Sequence, residues 1–191
     1  MAEQPQVPIP ADLTPAMFFE QLMPAGFAAQ VEQGMPVPSN FTMQYHLTGD
    51  GGGDWHVAVR DKKMSVEKTT APADLTISLS TSDWMDAALG RNGGDLALLL
   101  PQSRPGRPDG SEAAKRLRGT MALELAREGD PYRMEIAFGG AASPRATVKS
   151  KISDYVAIQQ GKLNGQEAFM TGRVRIEGDL GFLMQVVAIT G

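Results

Sequence analysis

The chain has no cysteine, only two histidines and few strongly apolar runs. The missing cysteine excludes disulfides, cysteine zinc sites and thiol nucleophiles. The two histidines, His46 and His56, fall short of a metal centre without a third placed ligand. A serine nucleophile would have to work through them, and no Gly-x-Ser-x-Gly elbow accompanies them. The longest greasy run, Leu96–Leu100, is far below the ~18 residues needed to span a bilayer. Positive charge is outnumbered: 18 Lys and Arg stand against 22 Asp and Glu, a net charge of −4. That balance lacks the basic footprint of a nucleic-acid binder. No phosphate loop or dinucleotide fingerprint is present. Met1–Pro10 has no basic region followed by an apolar stretch, so no secretory signal is read and a cytoplasmic location is expected.

What is present is an ordinary globular composition. The 191 residues are 42% hydrophobic and 21% charged, enough for one good core or two small ones. Eleven methionines against seven phenylalanines is a Met-rich balance. Met fills core gaps, and it also suits surfaces that adapt to varied apolar ligands.

Along the chain, residues 1–11 read as a flexible lead-in with three prolines. Thr14-Pro15 opens a helix, with Phe18 and Leu22 one turn apart. Pro24 is expected to end that piece, and Phe27 and Val31 to continue an apolar face up to Gly34. Phe41, Met43, Tyr45 and Leu47 then alternate, as do Trp55, Val57 and Val59 across the turn Gly49–Asp54. This is a hairpin. Its glycine run lies between two strands, not between a strand and a helix as a phosphate cradle requires. Met64, Val66 and Lys68 suggest a third strand; Leu75, Ile77 and Leu79 form a fourth. Ser80–Asp83 fits a capping box for a helix that stops at Gly90. Residues 101–118 are a Pro/Gly-rich linker with five basic residues against two acidic ones. A solvated loop accounts for it, and its charge also suits a transient contact with an anionic membrane surface. Met121, Leu123 and Leu125, then Tyr132, Met134, Ile136 and Phe138, form a second hairpin. Thr147 and Val148 begin another strand, and Ser153–Gln160 a helix closed by Gly161.

The second half repeats the first. At a constant offset of 71, Thr76 meets Thr147, Ser82-Asp83 meets Ser153-Asp154, Trp84 meets Tyr155 and Gly90 meets Gly161. Upstream, Met43, Leu47 and Trp55 match Met121, Leu125 and Tyr132. A half-sheet with one bare apolar face is unstable alone, so two such units would bury their faces together. The organisation expected is a lead-in (1–11), an N-terminal helix with a degenerate half (12–100), the linker (101–118) and a C-terminal half (119–191). The halves are expected either as two packed domains or as one sheet sharing residues 116–126.

In the tail, Gln166–Met170 reads as a helical turn ending at Gly172. Val174 and Ile176 mark an edge-like strand, and Gly178-Asp179 caps a last helix. There Leu180, Leu183, Met184 and Val187 are spaced as one apolar face. Gly161-Lys162-Leu163-Asn164, Ala168-Phe169, Gly172, Ile176, Gly178 and Met184 together resemble the C-terminal signature of the sterol carrier protein type-2 family. Ala73–Thr76 with Leu79-Ser80 resembles its fourth strand and helix start. Gly165 departs from the family's usual proline, Asp179 from its asparagine and Leu183 from a small residue.

The resemblance implies an α+β fold, with a mostly antiparallel sheet covered by helices in two related halves. It implies an apolar tunnel for a fatty acyl chain, an acyl-CoA or a similar lipid, with no catalytic residue, metal or cofactor. The lining residues it suggests are Phe169, Met170, Leu180, Phe182, Met184 and Val187, with Trp84, Met85 and Tyr155 from the equivalent helices. An accessory module presenting an apolar groove to a protein partner is the competing class. An enzyme using the cavity ranks third.

Overall fold

The computed structural model describes Pro10 and residues 12–35, 37–38, 40–91 and 110–190. The lead-in before Pro10, the Leu96–Leu100 run and most of the expected linker lie outside the described residues. The last part of that linker is not loop: Ser111–Arg116 is helical.

Strands β1 (Phe41–Thr48), β2 (Gly53–Arg60) and β3 (Lys63–Glu67) form an antiparallel meander. Strand β4 (Leu75–Ser80) returns parallel to β1 and runs into helix α3 (Thr81–Ala88). The second unit repeats the plan. β5 (Gly119–Ala126) and β6 (Tyr132–Phe138) make the hairpin, and β7 (Arg145–Lys151) returns parallel to β5 and runs into α5 (Ile152–Gln159). Helix α4 (Ser111–Arg116) precedes β5; α6 (Gly165–Met170), β8 (Val174–Gly178) and α7 (Leu180–Thr190) follow α5.

The registers match. Met43 faces Val57 and Leu75 in the first unit; Met121 faces Ile136 and Ala146 in the second. One expected correspondence slips by two residues. Tyr132 stands opposite Leu125, where the first unit has Gly53 opposite Leu47, and Trp55 corresponds to Met134. The indole of Trp55 leans over Gly53, so that a Cβ there would lie 3.1 Å from its Cη2. An aromatic ring thus fills the same place from a neighbouring position.

All eight strands form one sheet, ordered β3-β2-β1-β4-β6-β5-β7-β8. The junction is the antiparallel pair β4–β6, not a strand shared over 116–126; β5 pairs only with β6 and β7. In the second unit β8 lies beside β7, and the matching place beside β4 is taken by β6. In the first unit β3 lies beside β2, and the matching place beside β6 is taken by β4. Each unit therefore supplies the outer strand that the other lacks.

Period-two alternation gives the sheet one apolar face. Phe41, Met43, Tyr45 and Leu47 share it with Val57, Ile77, Met134, Leu123 and Val148. The helices' buried residues join these in one core. The opposite face is polar and is crossed by the β3–β4 and β6–β7 connections. Gln44 anchors the first, donating to the Thr69 carbonyl at 3.2 Å and accepting from the Ala71 N–H at 3.1 Å. Thr120 anchors the second by donating to the Ala141 carbonyl at 2.8 Å.

At the N-terminal side, Thr14 caps α1 (Pro15–Met17) by accepting from Met17 N–H. Pro24 does not end the helix. A π-helical turn, Phe18–Leu22, carries α1 into α2 (Met23–Glu32). The Met23 N–H reaches back five residues to the Phe18 carbonyl. Widening the turn just before Pro24 accommodates a residue that lacks an N–H and would crowd the carbonyl four residues earlier.

Candidate functional site

The two units share a sheet pattern but differ in what covers it. In the first, the N-terminal helix fills the space between α3 and strands β1–β2. Phe19 stacks on Trp55 at 4.9 Å between ring centroids and meets Tyr45 at 4.7 Å. Phe18 meets Trp84 edge-on at 5.3 Å. Beneath this layer Met43 and Val57 are 4% and 0% exposed.

In the second unit no helix of that length precedes the hairpin among the described residues. The short α4 precedes it and packs against α7 instead. The equivalent residues Met121 and Ile136 are only half-buried, as are Ile176 of β8, Tyr155 and Ile158 of α5, and Leu163. This half also carries side chains that water reaches freely: Phe169 and Met170 on α6, and Leu180, Met184 and Val187 on α7. Met170 is 78% exposed and Met184 59%.

Helix α7 explains part of this. Its sequence LGFLMQVVAIT contains no ionisable residue. Asp179 starts it, accepting from Phe182 N–H at 2.8 Å. Phe182, Leu183 and Val186 turn inward, with Phe182 against Phe138 at 6.0 Å. Leu180, Met184 and Val187 turn outward. The expected face that joined Leu183 to Leu180, Met184 and Val187 is thus two faces, with Leu183 in the core.

The residues expected to line a site fall into three groups. Trp84 and Phe182 are core. Met85 and Tyr155 are half-buried against the core. Phe169, Met170, Leu180, Met184 and Val187 are exposed, all in the second unit. Reading the sequence missed Met121, Ile136, Ile158, Leu163 and Ile176. Their alternation was visible, but their half-open state depends on which helix covers them.

Charged groups sit at the rims. Asp83, near the start of α3, is buried and accepts from Arg127 Nη2 at 2.5 Å and from Arg133 N–H at 3.3 Å. Asp154, its counterpart in α5, accepts from Arg173 Nη2 at 2.5 Å. That hydrogen bond holds the Asp154 carboxyl below the usual carboxylate range. Each arginine precedes the strand beside its helix: Arg127 before β6, Arg173 before β8. Burial pushes the Tyr155 hydroxyl up to about 12, with a hydrogen bond to Gln159 acting against it. A shallow depression lined by Ala126, Arg127, Glu128, Lys151, Ile152 and Ser153 opens near the start of α5. His46 and Asp54 pair at 2.6 Å on the polar face, away from the apolar half-site. Among the described residues no group of three or more His, Asp or Glu is placed to hold a metal ion.

A one-faced sheet built twice, covered over the first unit by the long N-terminal helix and, among the described residues, over the second by shorter helices that leave five apolar side chains exposed, defines a doubled α+β protein. The chain belongs to the SCP-2 sterol transfer family, whose model matches residues 37–100 and again 96–191. Membership of this family supports lipid binding or transfer. No curated protein matches by sequence. Among solved structures, sterol carrier protein domain 2 of Helicoverpa armigera is 23% identical, over 40% of this chain and 68% of that one, at a TM-score of 0.33. Sterol carrier protein 2 like 2 of Aedes aegypti is 17% identical, over 55% and 94%, at 0.37. The sec-alkylsulfatase Pisa1 of Pseudomonas sp. is 15% identical over 93% of this chain but only 16% of its own, at 0.27.

Proposed function

We propose that this chain binds the apolar part of a single-chain lipid, such as a fatty acyl chain or acyl-CoA, and carries it without chemical change. The observation behind this reading is in the second unit: five exposed apolar side chains on α6 and α7, in the same unit as strand and helix residues that are only half-buried. Those five side chains leave on the order of 500 Å² of apolar surface in water. At about 30 Å² per CH₂, from 0.8 kcal/mol per CH₂ and 25 cal/mol per Å² of buried surface, 500 Å² corresponds to a chain of roughly sixteen carbons. Such a chain gains several kcal/mol on leaving water before ordering costs are subtracted.

The carriage reading also fits the charges. Asp83, Asp154, Arg127 and Arg173 are committed to ion pairs that hold helices to strands. In the described part of the basic stretch, Lys115 pairs with Glu112 and Arg118 donates to the carbonyls of Lys115 and Leu117. A membrane contact there would rest on Arg116 among the described residues. The test is uptake by delipidated protein. A fluorescent fatty acid should saturate it, and native mass spectrometry should find lipid on protein purified without delipidation. No uptake, together with a stable complex with another protein through α6 and α7, would favour the accessory-module reading instead.

A further inference from the structure

The two units carry the same strand registers and the same helix after the returning strand, yet among the described residues only the first has a long helix laid over its hairpin. That cover comes from the chain itself. Phe18 and Phe19 are consecutive, and both are buried, at 7% and 0% exposure. In a regular α-helix consecutive side chains diverge by about 100°, at 3.6 residues per turn. Here the two rings sit at the start of the π-helical turn: Phe19 lies between Trp84 of α3 and the β1–β2 hairpin, and Phe18 packs edge-on against Phe19 and Trp84. Around them lie Trp84 of α3 and Tyr45 and Trp55 of the hairpin. The matching surroundings in the second unit are half-buried Tyr155 and buried Leu123 and Met134, with the ring of Tyr132 in the place of Trp55's, and Met121 and Ile136 half-buried beside them.

We infer that the chain has one ligand site, in the second unit, and that Phe18 and Phe19 permanently occupy the corresponding site of the first unit as a built-in stand-in for ligand. This rests on the lipid-binding reading and adds to it a capacity of one per chain and the identity of the plug. The first unit then serves as the fixed half of the sheet, against which the second stays folded whether empty or loaded.

The chain's two tryptophans, Trp55 and Trp84, make this testable, because both lie in the plugged unit and neither in the open one. The experiment titrates full-length delipidated protein with a brominated fatty acid, a contact quencher of indole fluorescence. Native mass spectrometry counts bound ligand in parallel. The expected result is saturation at one ligand per chain with tryptophan emission unchanged. In the double variant Phe18→Ala/Phe19→Ala, binding should rise to two per chain and quenching should accompany the second ligand. Quenching by the first ligand in the unsubstituted protein overturns the inference, as does a natively folded double variant that still takes one. If that variant loses its native circular dichroism, the unsubstituted protein's quenching and stoichiometry decide alone. An unsubstituted protein that takes no ligand overturns the lipid-binding reading itself, and this inference with it. One that binds but quenches leaves that reading standing and removes only the inference.

Discussion

Asp83 and Asp154 occupy equivalent places but face different neighbours. Asp83 reaches across the junction to Arg127, so its ion pair ties the two units together. Both partners are largely buried, and removing one strands the other's charge. Asp83→Asn is expected to cost about 2–4 kcal/mol, read as a lower denaturant midpoint. Asp154 pairs with the more exposed Arg173. Its lowered carboxyl favours the folded state at neutral pH, and that contribution is present above the ordinary carboxylate pKa. It is lost as pH falls through the lowered folded-state value. Asp154→Asn should therefore lower stability by a constant amount from neutral to alkaline pH and flatten the acid side of the stability–pH profile. Gly119 has φ +138°, and a Cβ there would lie 2.5 Å from the Pro144 carbonyl oxygen and 2.8 Å from the Phe182 ring. Gly119→Ala should destabilise by roughly 1–3 kcal/mol through strain and displacement of Phe182, visible as a lowered thermal midpoint. The three tyrosines are all shifted upward by burial. Their neutral forms contribute stability that is complete below pH ~10, the unfolded-state value, and lost as pH rises through the folded-state values. Absorbance titration should show no phenol ionising near pH 10 while the protein stays folded.

Helix α7 has two sides with opposite consequences. Phe182→Ala removes a core ring beside Gly119 and should cost about 3–5 kcal/mol. Met184→Gln with Val187→Thr changes water-facing positions and should shift stability by no more than ~0.5 kcal/mol each, while weakening fatty-acid uptake several-fold. Equilibrium unfolding beside a fluorescent-ligand titration separates the two effects. The strands were legible in sequence because alternation names a face directly: Phe41, Met43, Tyr45 and Leu47 mark it without help. Helix α7 was not. With Leu180, Phe182, Leu183, Met184, Val186, Val187 and Ile189 all apolar, a 3.6 period has nothing to contrast with, and the inward side is chosen by Phe138 and Gly119 on distant strands. The continuation past Pro24 was hidden for a related reason, since a π-helical turn leaves no compositional mark. The site residues on α6 and α7 came from the family resemblance. The half-open strand residues beneath them did not, because Met121 and Met43 look alike until the N-terminal helix covers one and not the other.

At the scale of the molecule, the continuous sheet predicts one cooperative transition. Tryptophan emission reports only the first unit and far-ultraviolet circular dichroism reports both. The two denaturation curves should coincide. Among the described residues no helix is long and apolar enough to cross a membrane. The β4–β6 junction has a consequence for aggregation as well. Two separate open sheets would offer four unpaired edges to other chains, each a template for strand addition. Joined, they offer two, β3 and β8. Exposed charges lie on both: Lys63 and Glu67 on β3, Arg175 and Glu177 on β8. A substitution that pries the junction apart, such as Ile77→Asp, is thus expected to yield aggregates on light scattering, not two soluble halves.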